Sequence, residues 1–158
     1  MHALIRTTIY ASALSTALLA GAVQAQVAVK DAWIRATVPA QKATGAFMQL
    51  QAAADSKLVA VSSPIARVVE VHEMAMQNDV MRMRQVPALA LPAGRPVDLK
   101  PGGYHLMLLD LKRPAKEGET VPLSLVVEGK DGRRQTVETS AVVRGLAAGA
   151  PAAQGAKH

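Results

Sequence analysis

Only two histidines, His72 and His105, lie away from the chain ends, and five of the seven methionines gather around them. His72 stands in Val68-Val69-Glu70-Val71-His72-Glu73-Met74-Ala75-Met76, and Met81-Arg82-Met83-Arg84 follows after a polar break. Further on come Tyr104-His105-Leu106-Met107-Leu108. Imidazole and thioether are uncharged donors that suit copper, and thioether favours the softer Cu(I) over zinc, magnesium or calcium. No run of acidic residues flanks either histidine, as a hard-cation site would require. The segment is expected to build a copper site on a small β domain.

Such a site needs elements that bring distant donors together. Val68–Met76 and Val80–Gln85 read as two arms of a hairpin around Gln77-Asn78-Asp79. An even-numbered loop centred on Asn78-Asp79 sets Met76 opposite Met81 and Met74 opposite Met83, with His72 diagonal to Met83. Glu73 then faces Arg84 on the other side of the pleat, an opposite-charge pair that favours this register. An odd loop would send His72 and Met83 to different faces. His105 and Met107, two apart on a strand, project from one face about 6–7 Å apart. Leu106 and Leu108 point the other way, toward a core.

The rest of the chain sets the frame. Residues 1–25 read as a secretory signal: Arg6, an apolar run from Ile9 to about Val23, then small residues ending at Ala25. Residues 26–145 form one domain, and 146–158 an Ala/Gly/Pro-rich stretch expected to be a disordered tail. An exported bacterial chain of this kind is expected in the periplasm. The absence of cysteine excludes a disulfide framework and thiolate metal centres, blue copper included. The net charge of +6 is scattered and lacks aromatic platforms, which argues against nucleic-acid binding.

Short β-type runs recur between turn residues: 27–38, 45–50, 58–61, 68–76, 80–85, 97–99, 104–111, 121–128 and 135–143, with 87–94 read as loop. Gly129-Lys130-Asp131-Gly132 marks a hairpin between the last two. This pattern predicts an all-β fold, a sandwich or Greek-key barrel.

His72, ten residues, Met83, twenty-one residues, then His105-x-Met107 resembles the signature of the periplasmic copper chaperone family PCu(A)C. Ala32-Trp33-Ile34-Arg35, Ser63-Pro64, Leu91-Pro92-Ala93-Gly94 and Pro101-Gly102-Gly103-Tyr104 resemble it as well, so the likeness runs from about Val27 to Val143. The resemblance implies a cupredoxin-like β-barrel holding Cu(I) through His72, Met83, His105 and Met107. It implies a carrier role toward the copper centres of cytochrome c oxidase, often alongside a Sco-type protein. Some members hold a second ion, Cu(II), on a His- and Met-rich extension; here the tail offers only His158, so such a site would be weak.

Each residue alone has a plainer explanation. A methionine in a strand is commonly core filler, and a lone histidine is commonly a satisfied, partly buried side chain. Met74 and Met76 fit either an outer methionine surface or edge packing. Two other functions therefore stay open: an exported β-sandwich interaction module with a Met-rich interface, and a copper redox protein. Four filled coordination positions argue against catalysis. No Ser/His/Asp arrangement or phosphate-cradling glycine loop points to an enzyme.

Overall fold

The computed structural model describes residues 27–148 of the 158. The expected signal (1–25) and most of the expected tail (146–158), His158 with its second ion included, lie outside these residues. Ten strands follow one another: β1 (Val27–Arg35), β2 (Ala43–Ala52), β3 (Ser56–Ser62), β4 (Ala66–Gln77), β5 (Val80–Gln85), β6 (Leu89–Leu91), β7 (Pro96–Leu99), β8 (Tyr104–Leu111), β9 (Thr120–Gly129) and β10 (Arg134–Arg144). They form one sheet in the order β5-β4-β8-β7-β2-β1-β10-β9-β3-β6. A pairing of β3 with β4, Val61 opposite Val69, closes it into a barrel. Among the described residues no helix is long and apolar enough to cross a membrane.

Alternation decides which side chains fill the barrel. On β9, Val121, Leu123, Leu125 and Val127 are buried while their neighbours face outward. Ile34, Leu50, Leu58, Leu106 and Leu108 join them in one core cluster, so Leu106 and Leu108 point inward as their spacing predicts. Burying an aliphatic side chain of this size contributes about 1.5–3 kcal/mol, so the β9 row alone is a large part of the driving force.

Two sequence expectations need revision. Residues 87–94 are not all loop: Leu89–Leu91 pairs with Ser56–Leu58, because Leu89 and Leu91 find core positions at the sheet edge despite the flanking prolines. The first strand stops at Arg35 rather than Val38. Its uneven alternation has a local cause, a register shift between Lys30 and Trp33 where Asp31 takes a left-handed φ of 52°. That bulge reverses which residues face inward.

Candidate metal centre

The β4–β5 hairpin has the even-numbered register. Asn78 and Asp79 both adopt positive φ (50° and 60°), the conformation a two-residue turn between twisted strands demands. Met76 faces Met81, Met74 faces Met83, Glu73 faces Arg84 and His72 faces Gln85. On the other flank β4 pairs with β8, setting His72 opposite His105 and Glu70 opposite Met107. Directly opposed residues share a face, and so do residues two apart along a strand. His72, Met83, His105 and Met107 therefore all project from the outer face of the barrel, with Glu70, Met74, Met76 and Met81 beside them.

The reverse face holds the register. Glu73 is ion-paired with Arg84 of β5 and lies opposite Tyr104 of β8, spanning three strands. Hydrogen bonding to the Glu73 carboxylate, with some burial, pushes the Tyr104 phenol above its ordinary pKa.

The two imidazoles are fixed differently. Their ring centroids lie 6.0 Å apart. His105 is buried, and its Nδ1 lies 3.0 Å from the Gly103 carbonyl oxygen. A carbonyl only accepts, so Nδ1 carries the proton and Nε2 keeps its lone pair. The Pro101-Gly102-Gly103 turn thus orients the ring. Gly102 takes a φ of 85°, and the Gly103 carbonyl also receives the Met74 amide at 3.2 Å. His72 donates from Nε2 to Glu70 Oε2 at 2.7 Å, and its buried Nδ1 has no hydrogen-bond partner. A buried lone pair without a partner is costly unless something else occupies it, and a metal ion would. A ligand histidine whose second nitrogen donates to a carboxylate or carbonyl is the usual arrangement around metals.

Glu70 was not singled out by sequence reasoning. Its signal was present, because two residues before His72 on a strand is the same face. Neither Trp33 nor Phe47 was picked out for the site by sequence reasoning. They are buried but lie on the outer face, stacked at 4.4 Å between ring centroids, with Phe47 6.3 Å from the His105 ring. Arg35 covers Phe47 and Arg144 covers Trp33, at 5.5 and 5.3 Å from the ring centres. Gly45 leaves room for this wall, since a Cβ there would come within 2.8 Å of the Phe47 ring. One side of the histidine pair is therefore dry and aromatic, and the other carries the half-exposed Met83.

Among the described residues no three His, Cys, Asp or Glu side chains gather as a zinc or hard-cation site would need. Two imidazoles flanked by thioethers instead suit a soft, monovalent cation. Met74 lies in register between Met83 and the Gly103 turn, and Met76 and Met81 are exposed rather than core-packed.

Known proteins match this chain in sequence and in fold. A family described as "Putative lipoprotein LpqE-like" matches residues 27–143. The putative lipoprotein Lxx21020 of Leifsonia xyli subsp. xyli is 28% identical over 100 residues, covering 63% of this chain and 60% of its own length. The apo PCuAC domain from PmoF1 superposes with a TM-score of 0.60 at 25% identity, covering 75% of this chain and 93% of that domain. DR1885 from Deinococcus radiodurans matches in its apo form at 33% identity, 91% and 95% coverage and a TM-score of 0.56. Its CuI form matches at 34% identity, 78% and 83% coverage and a TM-score of 0.54. The barrel is cupredoxin-like, and the chain belongs to the LpqE-like family, of the PCuAC type.

Proposed function

We propose that this protein is a periplasmic copper chaperone that binds Cu(I) through His72, Met83, His105 and Met107. The observation that carries the reading is the pair of facing imidazoles. Each has one nitrogen committed to an oxygen acceptor and the other left for a metal, with thioethers on the same face. The solved CuI form of DR1885 supports the choice of metal and oxidation state. The lipoprotein relatives support export.

The donor set accounts for carriage rather than catalysis. Two imidazoles and two thioethers are neutral, so the bound ion keeps its single positive charge. The four donors fill a tetrahedral shell and leave no position for a substrate. Glu70 and the Gly103 carbonyl hold the two rings, while Met83, half exposed at the rim, is the ligand an acceptor displaces first. Thiolates at an acceptor would outcompete thioethers, giving transfer a direction. The acceptor proposed is a copper centre of cytochrome c oxidase, reached directly or through a Sco-type protein.

The test is anaerobic transfer of Cu(I) from the loaded protein to a soluble oxidase subunit or a Sco-type protein, followed on both partners. Stoichiometric loss from one and gain by the other is expected. Retention of the ion beside an excess of every acceptor would remove the delivery role. Unchanged Cu(I) affinity after His72→Ala and His105→Ala would remove the site itself.

A further inference from the structure

Beyond the histidine pair, the outer end of the β4–β5 hairpin carries methionines that packing does not explain. All six residues of β5 are exposed. Met76 is 64% exposed, Met81 46% and Met83 49%. Met76 and Met81 are directly opposed, and Met74 and Met83 are opposed one pleat inward, so four thioethers form a two-by-two ladder on one face. Opposed Cβ atoms lie about 4.5–5.5 Å apart, and a flexible methionine spans the remaining distance to a shared ion. Strand propensity gives no reason for the choice, since valine, isoleucine or threonine fit an exposed strand better. The reverse face of the same hairpin carries Glu73, Ala75, Gln77, Val80, Arg82 and Arg84 and no methionine, so the ladder is confined to the face that holds the histidines.

We propose that this ladder is a second Cu(I) site, an outer station in which Met76 and Met81 supply two sulfurs and Met74 or Met83 a third. It rests on the reading of the histidine pair as a Cu(I) centre and extends it outward. A thioether-only, solvent-exposed site binds the ion more weakly than the histidine centre, and it discriminates against Cu(II), zinc and hard cations. Successive residues on one face are about 6–7 Å apart, so Met74 and Met83 lie within reach of both stations. An ion entering at the hairpin tip can pass inward by exchanging one sulfur at a time. Such a ladder also explains why the hairpin leaves Met76, Met81 and Met83 in water.

The test is an anaerobic titration of the full chain with Cu(I) against chromophoric chelators of graded strength, with methionine-methyl NMR as a second readout. The wild type should take up one tight and one weaker equivalent, and the Met76 and Met81 methyls should shift during the second. The Met76→Leu/Met81→Leu variant changes only exposed side chains. It should keep the tight equivalent within about twofold and lose the weaker one. A wild type that binds a single equivalent, or a double-leucine variant that still binds two, overturns the proposal. The His72→Ala/His105→Ala variant separates the two readings. It should lose the tight equivalent and keep the weaker one. Retention of the tight equivalent there would overturn the histidine centre, and with it the inward path from the ladder.

Discussion

Two hairpins of similar build do opposite things with their apolar residues. In β9–β10 the alternation sends Val121, Leu123, Leu125 and Val127 inside the barrel, and mostly charged or hydroxyl side chains, with Val126 and Val142 among them, cover the outside. In β4–β5 the core-packed side chains end with Val71, and beyond it four methionines stand on the outer face. Identical backbone pairing thus serves core formation on one wall and ligand presentation on the other. The difference lies in which side of the pleat carries the polarisable side chains. Stability and metal binding should accordingly respond to separate sets of mutations.

The strongest separation is expected from Leu125→Ala, which empties a fully buried position on β9. It should cost about 2–5 kcal/mol of unfolding free energy, because transfer and cavity penalties add. Cu(I) affinity of the folded fraction should stay within about twofold, since β9 contributes no side chain to the candidate centre. Chemical denaturation beside a Cu(I) titration measures both. A matched loss of affinity would mean that the two walls are mechanically coupled.

Met83→Ala reverses the pattern. The side chain is half exposed, so stability should change by no more than about 0.5 kcal/mol. Affinity for Cu(I) should fall at least about tenfold, which corresponds to about 1.4 kcal/mol of binding energy. Met48→Ala, on a core-facing position of β2, should show the opposite balance. Equal affinities in the two variants would remove Met83 from the donor set.

Glu70 tests the oxygen acceptor behind His72. Glu70→Ala removes the partner of Nε2 and frees the ring to turn, so affinity should fall by about tenfold, the lower end for such supporting residues. Glu70→Gln keeps an oxygen that accepts the same proton and should recover most of the loss. Failure of glutamine to rescue would mean that the negative charge, rather than ring orientation, is what the centre needs.

The ease of anticipating these residues differs, and the reason is physical. Hairpin register followed from Asn78-Asp79 and the Glu73/Arg84 pair, both local signals that act over a few residues. His105 and Met107 followed from strand alternation alone. The aromatic wall did not, because the bulge at Asp31 sets which face Trp33 takes, and a single bulge residue carries little pattern. The strand Leu89–Leu91 was hidden for a similar reason: three residues between prolines form a strand only because Ser56–Leu58 offers an edge. The opposition of His72 to His105 is a long-range pairing, and within single segments nothing encodes it.

The smallest effect belongs to the far wall, where Glu128 ties three strands by meeting Lys57 at 3.0 Å and Arg134 at 2.9 Å. Hydrogen bonds from Arg134, then from Lys57, hold its carboxyl below the ordinary glutamate value. A carboxylate with a lowered pKa in the folded state stabilises the fold at any pH above its unfolded pKa, and that contribution disappears as pH falls through the folded value. Wild type should therefore melt slightly above Glu128→Gln at neutral pH, with the gap closing once pH drops well below 4.5. Because the group is solvent-accessible, added salt should narrow the gap as well. Cu(I) affinity should be the same in both proteins. A melting gap that persisted in acid would assign Glu128 a packing role instead, and the charge-covered hairpin would then differ from its methionine-bearing counterpart less than their side chains suggest.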